Sequence, residues 1–166
     1  MPKTLYLVRH AKSSWKNPGL ADSQRPLNKR GKHDAPLMGK TLRGRKEIPE
    51  LLISSPAKRA LSTAKHFAKE LNYNKEKIEI KEILYMASST DFYNVIEKCG
   101  NSLKSIMLFS HNPGITDFAN LISGYDIENI PTSGTVRIDF DTDSWKGIKN
   151  KKGEIKFFIS PKNLSV

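Results

Sequence analysis

The chain has 166 residues, 37% of them hydrophobic, and its 28 Lys and Arg against 17 Asp and Glu give a formal net charge of +11. This length suits one domain with a sizeable core, and no apolar run approaches the ~20 residues of a membrane-spanning helix. The charge favours anionic partners such as phosphorylated small molecules, phosphoproteins or nucleic acid, but only weakly, because the lysines are scattered.

Cysteine usage indicates the compartment. Cys99 is the only cysteine, so no intrachain disulfide can form and a reducing compartment is the simplest interpretation. Arg9 interrupts the first apolar run after a few residues, which is unlike a secretory leader. We therefore expect a cytoplasmic protein without membrane contact.

The first predicted element is a buried strand over Thr4 to Val8, an apolar, partly β-branched and aromatic run. A polar, turn-rich loop follows from Lys12 to Arg25. A helix is expected after the N-cap Asn28. A kink or restart is expected near Pro36, because a proline inside a helix costs about 3 kcal/mol.

The middle of the chain predicts two more strands and two more helices. Leu51 to Ser54 is a short apolar strand, and the helix after it has Ser55 as N-cap and Pro56 as its first residue. Ile78 to Leu84 alternates in polarity, as a strand near a sheet edge does. Ser89 to Cys99 is predicted to be a short helix.

The last part of the chain holds the most apolar strand, Ser105 to Ser110, and a helix that Pro113 opens and that ends near Gly124. An edge hairpin follows, made of Thr135 to Phe140, the basic loop Lys146 to Lys152, and Glu154 to Ile159. Alternating strands and helices predict an α/β fold. We expect a three-layer α/β/α domain over residues 1–166, with a mostly parallel central sheet and an antiparallel edge hairpin at the C-terminus.

Residues that bind oxyanions follow three of these strands. The first strand ends in Arg9 and His10, the helix after the second carries Arg59, and His111 follows the most apolar strand. Carboxyl ends of parallel strands share one sheet edge, so these side chains should converge. Arginines hold tetrahedral oxyanions, and histidine serves as nucleophile or acid/base. The set suits phosphoryl transfer through a phosphohistidine intermediate.

Each residue alone has a simpler interpretation: Arg59 as a helix-surface cation, and His111 as a cap for the next helix. Their joint placement at strand ends favours the site. His33 and His66 lie inside helical patterns, and we interpret both as solvated or structural. The histidines and the single cysteine show no zinc-site spacing, so neither a metal nor a cofactor is expected.

Three blocks carry a family resemblance. Leu7 to Ala11 resembles the signature of the histidine phosphatase superfamily, usually Arg-His-Gly, with Ala11 in place of the glycine. Ser54 to Ala64 resembles the second block of that family, and Ser110 to Gly114 its last. The compact chain and the early segment Arg25 to Gly31 resemble the SixA-type phosphohistidine phosphatase branch. The resemblance spans most of the chain and implies a phosphoglycerate mutase-like fold.

The resemblance implies a role for each residue. His10 would be the nucleophile that takes the phosphoryl group, while Arg9, Arg59 and His111 surround and neutralise it. Such a reaction needs positioning and charge stabilisation rather than a metal. The His10 imidazole must be neutral, and one of its ring nitrogens must face phosphorus. We expect the other ring nitrogen to donate to a nearby backbone carbonyl.

The proton donor is left open. Larger family members carry a glutamate after the third strand, and it has no clear match here. Asp22, Glu82 and Asp91 are candidates, and the sequence does not choose among them. A phosphohistidine substrate would lessen the need for an acid, because imidazole is a better leaving group than an alkoxide.

The expected substrate is phosphohistidine in a protein. One alternative is a phosphomonoesterase or mutase that acts on a small phosphorylated metabolite. Another is a non-catalytic phosphate- or RNA-binding module that uses the +11 charge. A binding module has no need of histidines at strand ends, so nucleic acid is not the expected partner. The oligomeric state is open, and a monomer is compatible with the sequence.

Overall fold

A computed structural model describes residues 2–164. One sheet contains six strands: β1 (Lys3–Arg9), β2 (Leu51–Ser54), β3 (Glu79–Ile80), β4 (Ser105–Ser110), β5 (Thr135–Phe140) and β6 (Glu154–Ile159). Their order across the sheet is β3-β2-β4-β1-β5-β6. Strands β3, β2, β4 and β1 run parallel to one another. Strand β5 runs antiparallel to both β1 and β6. The predicted mostly parallel sheet with a C-terminal edge hairpin is confirmed.

Helices cover both faces of the sheet: α1 (Lys29–Gly44) and α2 (Lys58–Glu70) on one, α3 (Ser89–Glu97) and α4 (Gly114–Ser123) on the other. In β1, Leu5 and Leu7 belong to the core with α3 and α4, while Tyr6 and Val8 belong to the core with α1 and α2. Successive side chains of a strand point to opposite faces. A strand buried on both faces therefore has a nearly continuous apolar sequence.

The start of α1 packs against the segment that follows β1. Asn28 caps the helix as predicted, because its side chain accepts the Gly31 N–H at 2.9 Å. The Asn28 N–H donates to the Lys12 carbonyl at 3.0 Å. A Cβ on Gly31 would lie 2.2 Å from the Lys12 oxygen, so this approach requires glycine. These contacts hold the segment beside the end of β1.

The predicted third strand is wrong in its extent. Sheet pairing stops at Ile80, and Glu82–Leu84 form a 3₁₀ turn instead. Glu79 and Ile80 are exposed, whereas Leu84 is fully buried. The hydroxyl of Ser110 donates to the Leu84 carbonyl at 2.7 Å. Burial of Leu84 against β4 therefore turns the chain inward where the alternating pattern predicted more strand.

The predicted N-cap of the second helix is wrong, and the restart expected near Pro36 does not occur. α2 begins at Lys58 with Ala57 as its N-cap residue, so Ser55 does not cap it. α1 runs through Pro36 with no restart. Proline leaves the carbonyl four residues earlier without its helical partner. That carbonyl belongs to the exposed residue Lys32, where water can reach it.

The basic connection between the last two strands is more ordered than the predicted loop. Trp145–Asn150 form a 3₁₀ helix, and its residues Trp145 and Ile148 are buried. The predicted end of α4 is confirmed, because Gly124 adopts a left-handed conformation with φ of 73° directly after the helix. No helix within residues 2–164 is long and apolar enough to cross a membrane.

Candidate active site

The carboxyl ends of β2, β4 and β1 lie side by side at one edge of the sheet, with β4 in the middle. His10 follows β1 and His111 follows β4, and their ring centroids are 5.1 Å apart. Ser55 follows β2, and its Oγ lies 2.8 Å from His111 Nε2. The topology thus brings the two histidines into one site.

His10 has a defined tautomer. Its Nδ1 lies 2.8 Å from the Ala11 carbonyl oxygen, and because a carbonyl only accepts, Nδ1 must donate. Nε2 therefore carries the lone pair of the neutral ring, and the expected backbone partner is confirmed. Burial, together with the charges of Arg59, Arg9 and Arg25, lowers the pKa of His10 to about 4. The ring is neutral at neutral pH.

Thr63 ties the segment that follows β1 to α2. The Ala11 N–H donates to Thr63 Oγ1 at 2.9 Å, and the Thr63 hydroxyl donates to the Arg59 carbonyl at 2.7 Å. All three residues are buried. This chain of hydrogen bonds fixes His10, which precedes Ala11, relative to the arginine on the neighbouring helix.

Both predicted arginines have fixed positions. Arg9 Nη1 donates to the Ile130 carbonyl at 3.1 Å. Arg59 is 5% exposed and binds Asp22 twice, at the backbone oxygen (2.8 Å) and at Oδ2 (2.9 Å). Burial lowers the pKa of Arg9, but a guanidinium stays charged at neutral pH. The two side chains therefore bring positive charge to the site.

Several polar atoms in this region are buried without a hydrogen-bond partner in the described part of the chain: Arg9 Nε, Arg59 Nε, His111 Nδ1 and Ser133 Oγ. Ser133 is adjacent to His10, because its N–H lies 3.0 Å from the Arg9 oxygen and 3.2 Å from the His10 oxygen. Unpaired buried polar groups are rare and costly. Two guanidiniums and an imidazole of this kind are the donors that a phosphate would pair with.

His111 is 4% exposed and neutral. Burial, together with the neighbouring His10 and Arg59, lowers its pKa to about 3. The Tyr85 ring meets it edge-on, with centroids 5.5 Å apart. Beside His111 lies a cavity of about 410 Å³, lined also by Met86 and Asn112. The site therefore has room next to His111.

Asp22 enters the site as an ion-pair partner. Its carboxylate accepts hydrogen bonds from Tyr85 Oη, Arg59 Nη2 and Arg25 Nε. The Tyr85 hydrogen bond, together with Arg59 and Arg25, holds the pKa of Asp22 well below its usual range. Asp22 is ionised at neutral pH. It orients Arg59 and carries no proton to give to a leaving group.

The other two candidate acids lie in the 3₁₀ turn after β3 and in the first turn of α3. Asp91 Oδ2 accepts the Ser88 N–H at 2.9 Å, and Ser88 Oγ accepts the Asp91 N–H at 3.3 Å, a capping box at the start of α3. Glu82 is exposed in the 3₁₀ turn. Within residues 2–164, neither carboxylate has a hydrogen bond or ion pair with the histidines or arginines of the site.

The remaining histidines are outside the site. His33 is exposed, with Nδ1 3.2 Å from Asp34 Oδ1. His66 lines a separate cavity of about 500 Å³ along α2, together with Lys65 and Lys69. No group of His, Cys, Asp and Glu among the described residues is arranged to hold a metal ion.

Comparison with known proteins identifies the family. Residues 5–88 match the model of the histidine phosphatase superfamily (branch 1). The chain belongs to the histidine phosphatase superfamily. An uncharacterized protein of Mycobacterium tuberculosis strain H37Rv is 31% identical over 137 residues, which span 76% of this chain and 83% of that protein. An uncharacterized chloroplast protein of Arabidopsis thaliana is 28% identical over 152 residues, spanning 87% and 69%.

Solved histidine phosphatase structures share the fold. A candidate phosphohistidine phosphatase SixA from Agrobacterium tumefaciens has a TM-score of 0.83 at 27% identity, covering 97% of this chain and 99% of its own. The protein histidine phosphatase SixA complexed with tungstate has a TM-score of 0.83 at 22% identity, covering 98% and 99%. A phosphoglycerate mutase from Bacillus anthracis has a TM-score of 0.69 at 15% identity, covering 89% and 96%. The expected phosphoglycerate mutase-like fold is confirmed.

Two residues of this histidine phosphatase site, Arg25 and Tyr85, had no predicted role. Arg25 is 7% exposed, binds Ser13 Oγ at 2.8 Å and stacks on the Trp15 ring at 3.6 Å. Its position in the polar loop that follows the first strand was a sequence feature from which a place in the site could have been predicted. Tyr85 directly follows the third strand as predicted from the sequence, and that prediction extended the strand too far. Its contact with Asp22, 63 positions away, had no local signal.

Proposed function

We propose that this histidine phosphatase removes the phosphoryl group from phosphohistidine in a protein, through a covalent intermediate on His10, and that residues 1–166 act as one histidine phosphatase domain. The observation that carries the proposal is the pairing of Asp22 with Arg59, Arg25 and Tyr85. The arginines of the site can bind phosphate, and the candidate carboxyl that contacts them, Asp22, is ionised. The structural likeness to two SixA proteins supports the same activity.

The first step uses the lone pair on His10 Nε2. It forms a bond to phosphorus while the bond from phosphorus to the leaving group breaks, and the leaving group keeps that electron pair. Arg9, Arg59 and His111 hold the phosphoryl oxygens, whose negative charge the two guanidiniums neutralise. In the second step the oxygen of a water molecule bonds to phosphorus and the bond from Nε2 breaks. Inorganic phosphate leaves and neutral His10 returns.

The leaving group decides which substrates suit this site. An alkoxide needs a proton as it departs, which a general acid supplies. Asp22 is held as a carboxylate by its three partners and cannot supply it. A phosphorylated imidazole that is protonated on its other ring nitrogen departs as neutral imidazole and brings its own proton. A phosphorus–nitrogen bond therefore fits the site better than an alkyl phosphate ester.

The rim of the site supports a protein-borne substrate. Trp15 is 73% exposed and carries the Arg25 guanidinium on its ring, which links it through Asp22 to Arg59. Met86 is 70% exposed and lines the cavity beside His111. Large exposed apolar side chains beside a site are typical of contact surfaces for macromolecules. We infer that the surface of a phosphorylated protein rests on Trp15 and Met86.

One observation favours a second candidate, a phosphomonoesterase that acts on a small metabolite. The cavity beside His111, about 410 Å³, lies in the usual size range of small-molecule sites. A non-catalytic binding module has less support, because binding alone does not require a neutral histidine with a fixed tautomer. The cytoplasmic location expected from the single cysteine stays a prediction.

A substrate panel tests the proposal. It contains a histidine-phosphorylated carrier protein, phosphoimidazole and a sugar phosphate, and kcat/KM should fall in that order. Trp15→Ala should raise KM for the carrier protein and leave phosphoimidazole unchanged. The control is Leu121→Ala, an exposed residue near the end of α4, which begins at the site edge and runs away from it.

Two results of the panel would contradict the proposal. A sugar phosphate hydrolysed faster than both phosphoramidates would favour the metabolite enzyme. Salt-sensitive RNA binding with no turnover of any substrate would favour the binding module.

A further inference from the structure

The turn between β2 and α2 contains a fully buried serine that contacts the site. Ser55 is 0% exposed, and its hydroxyl has two hydrogen-bond partners in the described part of the chain. The Ala57 N–H lies 3.2 Å from Ser55 Oγ, and His111 Nε2 lies 2.8 Å from it. The hydroxyl therefore connects the start of α2 to the histidine that follows β4.

The partners of Ser55 determine where its proton goes. A backbone N–H only donates, so Ala57 occupies a lone pair of Ser55 Oγ. The hydroxyl proton then needs an acceptor, and His111 Nε2 is the partner that can accept it. The opposite arrangement, with a proton on Nε2, would leave the hydroxyl proton and the Nδ1 lone pair both buried without partners. The satisfied network runs from Ala57 through Ser55 to His111.

We propose that Ser55 is a positioning residue that keeps neutral His111 protonated on Nδ1 and aims that proton at a phosphoryl oxygen. Nδ1 is buried and lacks a partner among residues 2–164, as a donor that waits for a ligand would be. That the ligand is a phosphoryl group rests on the proposed function. His10 and His111 then share one tautomer but present opposite ends, a lone pair at His10 Nε2 and a proton at His111 Nδ1.

The tautomer can be read directly by nitrogen NMR of the histidine rings in the ligand-free protein. Wild type should show His111 protonated on Nδ1 and unprotonated on Nε2. Ser55→Ala should show a mixture of tautomers. Because this readout needs no substrate, an absence of phosphatase turnover would count against the proposed function and not against this assignment.

Kinetics on matched variants provide the second readout. Ser55→Ala should lower kcat/KM roughly tenfold, since the donor remains but is no longer oriented, whereas loss of a donor to the transferred group costs on the order of 100-fold. Ser55→Thr keeps the hydroxyl and should restore most of the activity. The control is Ser54→Ala, because Ser54 is equally buried and its hydroxyl donates only to the Ser55 carbonyl, at 2.8 Å.

The outcomes separate positioning from a merely structural role. Wild-type His111 with its proton on Nε2 would overturn the proposal. So would Ser55→Ala with wild-type kinetics and tautomer, or an equal loss of activity in Ser54→Ala. If Ser55→Ala does not fold, the tautomer of His111 in the wild type still tests the proposal.

Discussion

The ring centroids of His10 and His111 lie 5.1 Å apart, yet the two rings form their hydrogen bonds to the protein through different ring nitrogens. His10 donates from Nδ1 to the Ala11 carbonyl, while His111 meets Ser55 Oγ through Nε2. Both rings are buried beside arginines, so neither readily accepts a positive charge. The pair can therefore serve as a nucleophile, at His10, and as an oxyanion donor, at His111, while both rings are neutral.

The buried, neutral state of His10 makes stability depend on pH. Its pKa is about 4 in the folded chain, against 6.5 unperturbed, so the unfolded chain binds the proton first as pH falls. The free energy of unfolding should therefore decrease between pH 6.5 and pH 4, with about 3 kcal/mol from this residue. Urea titrations should show a weaker pH dependence for His10→Asn, whereas the exposed control His33→Asn should follow wild type. Equal slopes for wild type and His10→Asn would contradict a buried neutral His10.

Arg59 should be essential to turnover but not to folding. Arg59→Ala is expected to lower kcat/KM by about 3 kcal/mol in the transition state, or on the order of 100-fold. Asp22, the partner left behind, has a side chain 45% exposed that water can solvate, so the variant should fold. Thermal unfolding checks the fold, and the exposed neighbour Lys58→Ala is the control. Near-normal turnover by folded Arg59→Ala would remove Arg59 from the site.

Asp22 should prove dispensable as an acid. Asp22→Asn is expected to retain the turnover of phosphoimidazole within about tenfold, because the carboxylate orients Arg59 and is already ionised. A general acid contributes roughly 100-fold or more. A loss of that size in Asp22→Asn that is larger for a sugar phosphate than for phosphoimidazole, and absent from the exposed control Glu82→Gln, would identify Asp22 as the proton donor.

The sequence predicted the part of the site that strands position. Arg9 and His10 follow the apolar run of β1, and His111 follows the apolar run of β4. A strand buried on both faces has a nearly continuous apolar sequence, so both strands can be predicted without knowledge of tertiary contacts. Parallel pairing of the two strands then brings the histidines together.

What the sequence could not predict depends on contacts between distant residues. Leu84 ends the third strand early because it packs under β4. Asp22 meets Tyr85 across 63 positions, so its role as an ion-pair partner has no local pattern. Ser55 before Pro56 matches an N-cap pattern, and only the position of β4 shows that its hydroxyl reaches His111.

Activity should persist in excess chelator. Two guanidiniums bring the positive charge that a metal would otherwise bring to the phosphoryl group. No described His, Cys, Asp or Glu cluster is arranged to bind an ion. Turnover measured before and after prolonged treatment with chelator checks this. Activity that chelator abolishes and that a single divalent ion restores would overturn the prediction.

The most direct test of the account is to trap the phosphoryl group on His10 during turnover. A phosphoramidate on histidine is labile in acid and stable in alkali, so rapid quenching at high pH with labelled substrate should preserve it. We expect label on His10 in the wild type, and neither label nor appreciable turnover in folded His10→Ala. Label on another residue, a linkage with the stability of phosphoserine, or substantial activity in folded His10→Ala would contradict it.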